Sequence, residues 1–331
     1  MLNETKLGRL NGGYTLGLPL NLALLLGRLL IVVALLENGI RKIATFGMTA
    51  AMMGGAPPIV FNGHPFPAQT PLLYFPFPEL FLGGSIFFDM VGALLVMAGF
   101  RTRRVALFLG FYVISAIVIF HADIQNLDQI LRVVSNLPFV GGLFLIAALG
   151  GGAWSLDGWL KRRRGVAQGF MTKGTLDYDF ITNLGLLIGR TFAVCGLALS
   201  GISKIIEFQV TAAMMGGAPQ LMAEGARFAA QKPLFFLPFP EFFLASSIGL
   251  DLLGSLLLLI GAKTRTVATI MFAYCVLAVV IYHGHVSGPL DVRAILRALP
   301  LVGSLILMSG IGAGQWSVDG WWESRRRSAR F

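Results

Sequence analysis

The chain has 331 residues, of which 56% are apolar and 13% charged, and its mean hydropathy is +0.76. A soluble domain carries about a quarter charged residues, so this composition excludes an ordinary water-soluble enzyme and points to an integral membrane protein. The net charge of +10 would suit nucleic acid, but the basic residues gather in short runs beside apolar segments, which is a topology signal and leaves no nucleic-acid partner expected.

Residues 1–17 contain Asn3, Glu4, Lys6, Arg9 and Asn11 with no apolar run, and read as a cytoplasmic segment rather than a removable signal peptide. Apolar spans are expected at 20–42, 79–100, 105–121 and 132–150, each near the ~20 residues that cross a bilayer as helix. Between the first two lies a long outer segment, 44–78. It opens with helix-compatible Thr49–Met53, and then Gly54-Gly55 and seven prolines from Pro57 to Pro78 forbid regular structure. Its many aromatic residues suit the headgroup level, a cap on the bundle or a docked partner. Arg101, Arg103 and Arg104 form a basic loop between spans two and three. After span four, Trp154 and Trp159 precede the run Lys161–Arg164 and read as interfacial anchors. Residues 161–180 form a cytoplasmic linker.

The pattern then starts again. A shift of 162 positions lays Gly27-Arg28 on Gly189-Arg190, the string 49–57 on 211–219, Asp89 on Asp251, His121 on His283, and Trp154-Ser155 on Trp316-Ser317. One offset throughout marks a tandem duplication. Spans five to eight therefore fall at 182–204, 240–262, 266–283 and 294–313, the repeats occupy 18–160 and 181–322, and 323–331 is a basic tail suited to anionic lipid headgroups. The basic runs all fall on one side if both termini are cytoplasmic. Four crossings per repeat is an even number, so the repeats run in the same direction about an axis along the membrane normal. The expected fold is an all-α integral membrane protein in the cytoplasmic membrane, with eight transmembrane helices as two pseudo-symmetric, parallel four-helix bundles.

Ionisable groups inside such spans need partners or a cavity. At ~1.5 Å per residue, Arg28 and Asp89 lie at comparable depths, as do Arg190 and Asp251. Each pair reads as a buried ion pair fixing helix one to helix two, or as the polar lining of a headgroup site. A second cluster is expected at the outer ends: Lys42, Glu79 and His121, repeated as Lys204, Glu241 and His283. It is either plain interfacial polarity or a site for a small polar group, with histidine as proton donor or acceptor. Glu37, which becomes Leu199 in the second repeat, is paired with Lys42 or Arg41, or faces a cavity. Cys195 and Cys275 stand alone, without a CxxC pair, and read as small apolar side chains. His283-Gly-His285 lacks further ligands, so no metal site is expected. No haem, iron–sulfur, Walker or dinucleotide signature occurs, and no covalently bound cofactor is expected.

Several of these features occur together and in order: Gly27-Arg28, Gly39-Ile-Arg-Lys42, Asp89 followed by Gly99 to Arg103, His121 and Trp154-Ser-Leu-Asp157, with their counterparts in the second half. In that order they resemble the DoxX family, here as two fused copies covering nearly the whole chain. The resemblance implies small membrane proteins of respiratory and sulfur redox chemistry, among them membrane subunits of thiosulfate:quinone oxidoreductase. It implies a membrane subunit of a bacterial respiratory complex that anchors an extracytoplasmic partner and helps form a quinone site, without catalysing donor oxidation alone. Other relatives act as accessory or assembly proteins, so a non-catalytic structural subunit is the alternative.

Overall fold

The computed structural model describes residues 19–56, 60–61, 64–65, 71–121, 127–163, 180–217, 234–284 and 289–328. The amino-terminal segment and most of the linker lie outside these residues, as does His285.

The first repeat comprises α1 (Leu20–Ala44), α2 (Phe46–Met53), a two-residue antiparallel ribbon of β1 (Val60–Phe61) and β2 (His64–Pro65), α3 (Pro78–Ala98), α4 (Thr102–Phe120), α5 (Leu127–Leu149) and α6 (Leu156–Arg163). The second contributes α7 (Phe180–Ile206), α8 (Phe208–Met215), α9 (Pro240–Ile260), α10 (Thr264–His283), α11 (Pro289–Ile311) and α12 (Val318–Ser328). Eight of these helices are long and apolar enough to cross a membrane: α1, α3, α4, α5, α7, α9, α10 and α11. Local chemistry sets their limits. Pro78 and Pro240 open α3 and α9, where a missing N–H costs nothing. Gly99 and Gly261, at φ +74° and +72°, close the same helices in the left-handed conformation that glycine adopts without strain.

Two separate four-helix bundles are not what the packing shows. The most extensive helix contacts cross between repeats: α5 lies on α7, and α11 lies on α1. Within a repeat, helices one and four barely touch. The eight spans form a closed ring in the order α1, α3, α4, α5, α7, α9, α10, α11, and α5 and α11 also meet across its centre. Helices one and four of both halves thus make one shared central bundle, flanked on each side by helices two and three.

Small residues make this interlock possible. A Cβ at Gly141 would lie 2.5 Å from the Gly189 carbonyl, and one at Gly303 would lie 2.9 Å from the Gly27 carbonyl. Backbones this close are the small-residue packing of membrane helices. At the centre Ser304 Oγ donates to Pro300 O at 2.8 Å, with Pro138 O 3.2 Å away. Along the α5–α7 contact Ala148 meets Gly185, Gly141 meets Gly189 and Pro138 meets Gly196. The two helices are therefore antiparallel, so α7 starts at the face where α5 ends, and the repeats point the same way.

The outer segment is partly built into the fold. Phe75 N donates to Met53 O at 3.0 Å and Leu72 N to Ile119 O at 2.7 Å, tying residues 71–77 to the ends of α2 and α4. Ala50, Met53 and Leu82 form a small satellite core there, with Phe75, Ile86 and Phe120 against it. Of the three roles open to this stretch, residues 71–77 cap the repeat.

Candidate functional site

Each repeat carries two polar constellations, one at each end of helix one. At the basic face, Arg28 is 2% exposed and donates through Nη1 to Gly151 O and through Nη2 to Trp154 O, both at 2.7 Å. Asp157, three residues beyond Trp154, accepts from the backbone N–H of Arg101 and Thr102 at 2.8 and 2.9 Å, capping α4. The Asp157 N–H in turn donates to Gly99 O at 2.9 Å. Gly99 has no room for a side chain, since a Cβ would stand 2.5 Å from Arg28 Nη1 and would run into Ser155 Cβ. Arg190, Ala313, Trp316, Asp319 and Gly261 repeat the arrangement.

The expected Arg28–Asp89 and Arg190–Asp251 ion pairs are therefore absent. Both arginines are consumed by carbonyls that the left-handed glycines after α5 and α11 turn toward them. The Trp-Ser-x-Asp stretch is a knot closing helices one to four. Its tryptophans stay on the outside: Trp154 is 55% exposed, and Arg163 lies over the Trp159 ring at 4.2 Å.

The second constellation sits deeper. Lys42 Nζ donates to Asp89 Oδ2 at 2.7 Å and to Tyr112 Oη at 3.0 Å, and Tyr112 Oη lies 3.3 Å from Ser85 O as its donor. The second repeat copies this as Lys204, Asp251 and Tyr274, with both lysine bonds at 2.7 Å, and Ser200 Oγ adds a donor to Asp251 at 3.0 Å. Gly39, one turn before Lys42, lets helix two close in: a Cβ there would meet Asp89 Cβ at 3.2 Å.

Depth explains why Lys42 rather than Arg28 reaches Asp89. Helix one does not end level with the start of helix two. It bends at Thr45 and continues as α2, whose terminal Gly54 packs beside Pro78. From Lys42 to Gly54 and from Pro78 to Asp89 the rises are about 18 and 16 Å, so lysine and aspartate meet near the middle of α3. The Asp89 side chain is 3% exposed, whereas that of Lys42 is 24% exposed.

The outer cluster expected from Lys42, Glu79 and His121 is not assembled, nor is that of Lys204, Glu241 and His283. The lysines turn inward to the aspartates. Glu79 and Glu241 are exposed in the first turns of α3 and α9. His121 closes α4, nine residues beyond Tyr112, and His283 ends α10 with its Nδ1 buried and unpartnered. Glu37 pairs with Arg41 at 3.6 Å. Tyr112 and Tyr274 were missed in the sequence, although the 162-residue offset lays one on the other in helix three.

An all-helical tandem membrane protein with a buried Lys–Asp–Tyr cluster in each half is the class that fold and site define. The DoxX family model matches residues 23–122 and again 185–284, and the chain belongs to the DoxX family. It is also 31% identical over 86 residues to "Inner membrane protein YqjF" of Escherichia coli (strain K12), a stretch covering 26% of this chain and 66% of that protein. No solved structure matches.

Proposed function

We propose that this chain is the quinone-binding membrane subunit of a respiratory oxidoreductase, with the quinone headgroup taken up at the Lys42–Asp89–Tyr112 cluster or its counterpart. The observation that supports this reading is a pair of polar groups at mid-membrane depth, Lys42 Nζ held by the buried Asp89 carboxylate and partly accessible, and Tyr112 Oη held beside it by Lys42 and the Ser85 carbonyl. A quinone site needs an apolar setting with one or two groups that hydrogen-bond and protonate the carbonyl oxygens. Ionisable groups at such depth are costly, and mark a function by default. Reduction to quinol consumes two electrons and two protons. The electrons would come from an extracytoplasmic partner of this subunit, and lysine and tyrosine would pass protons to the carbonyl oxygens.

The second reading is a non-catalytic structural or assembly subunit. It is favoured by the internal partners of the cluster, which ties helices one, two and three together without any ligand. Labelling with a photoreactive quinone analogue in proteoliposomes separates the two. Under the quinone reading, Tyr112→Phe with Tyr274→Phe cuts labelling about tenfold, the loss of one hydrogen bond in an apolar site, while thermal stability falls little. Unchanged labelling with a lowered melting temperature would leave only the structural role.

A further inference from the structure

Between α3 and α4 of the first repeat an apolar cleft of about 280 Å³ opens sideways toward lipid. Phe87, Phe88 and Phe108 line its upper part, and Arg101 and Arg104 line its lower end at the basic face. We propose that this cleft is a specific site for one anionic phospholipid, its acyl chain in the groove and its phosphate on the two guanidinium groups.

Length, charge and asymmetry support that occupant. From Leu95 to Phe87 the cleft follows α3 for about 12 Å, within the ~15 Å of one leaflet's hydrocarbon, and Arg101 and Arg104 lie below it. The charged end therefore falls at headgroup level. Above, Phe88 packs edge-on against Phe108 and Tyr112, at 5.1 and 5.7 Å between ring centroids, so the groove stops short of the Lys42 cluster and is a separate site. The backbone N–H groups of Arg101 and Thr102 are already taken by Asp157, which leaves the arginine side chains as the anion-binding element. Both are exposed, and neither is paired with a carboxylate among the described residues. Basic pockets between helices at a membrane face hold anionic headgroups in this way. The second repeat lacks the chemistry: Gly249, Leu250 and Ile270 replace the three phenylalanines, and Thr266 replaces Arg104.

The test is native mass spectrometry of the full chain released from nanodiscs of equal phosphatidylglycerol and phosphatidylcholine. One phosphatidylglycerol should be retained per chain. Arg104→Gln should lower the preference for it over phosphatidylcholine about fivefold, and Arg101→Gln with Arg104→Gln about twenty-fivefold, following ~1 kcal/mol per arginine at a membrane surface. Lys263→Gln, in the second repeat, should change nothing. Val91→Trp, which fills the groove, should release the lipid with both arginines intact, and an unchanged melting temperature would show that this variant folds. The proposal is overturned if the double arginine variant keeps the wild-type preference, if Lys263→Gln lowers it equally, or if the retained molecule is quinone or phosphatidylcholine.

Discussion

Replacing Asp89 with asparagine keeps the shape of the side chain and removes its charge, leaving the Lys42 ammonium without its counterion near the middle of the membrane. Breaking a buried pair from one side costs about 3–5 kcal/mol. Because Lys42 is 24% exposed and its long stem can lift the charge toward water, the lower end, about 3 kcal/mol, is expected. Asp89→Leu combined with Lys42→Met removes both charges and should recover most of that loss, giving a coupling of at least about 2 kcal/mol. The same cycle run between Asp89 and Arg28 should give less than about 0.5 kcal/mol, as for independent sites. Reversible unfolding in mixed micelles, followed by tryptophan fluorescence, measures both cycles. Strong coupling of Asp89 to Arg28, or none to Lys42, would refute the pairing and the depth argument behind it.

Other consequences are as specific. Lys204→Met should destabilise about 1 kcal/mol less than Lys42→Met, because Ser200 still donates a hydrogen bond to Asp251; Ser200→Ala in that background should remove the difference. Gly99→Ala should cost more than about 3 kcal/mol, since it combines a left-handed backbone with a Cβ that collides with Ser155 Cβ, and the melting temperature should fall well below that of Gly83→Ala, where nothing lies within 4 Å. Arg28→Met should cost about 2–3 kcal/mol by orphaning the buried Gly151 carbonyl and the part-buried Trp154 carbonyl, whereas Arg41→Met, a half-exposed side chain whose partners Glu37 and Asn38 are neighbours on its own helix, should cost about 1 kcal/mol or less.

The eight spans were legible because twenty-residue apolar stretches have few alternatives, and the duplication was legible because one offset aligns everything. The site was only half legible. Asp89, Asp251, Lys42 and Lys204 stood out as charges in apolar surroundings, but pairing them needs the bend at Thr45, which no helix-breaking residue announces: the chain there reads Ala44-Thr45-Phe46. Arg28 was matched to a carboxylate because charge pairing is the usual solution. Its actual partners, two carbonyls, are displayed by glycine turns, and sequence does not record where carbonyls point. Tyr112 passed unnoticed among the many aromatic residues of helix three. The crossing of helix four into the other repeat was not legible either. Gly141 and Gly303 show that something comes close, but not which helix.

That crossing holds the two clusters in a single frame, and a disulfide tests it most directly. A Cβ at Gly303 would stand 3.2 Å from Leu30 Cβ, near the ~3.5–4.5 Å spacing of bridged cysteines. With Cys195 and Cys275 changed to alanine and a protease site placed between the repeats, Leu30→Cys with Gly303→Cys should oxidise once α11 shifts by a few tenths of an ångström away from the Gly27 carbonyl. After cleavage the halves should then migrate as one band without reductant and as two with it. Two bands under both conditions, from protein that is folded in the membrane, would contradict the shared central bundle.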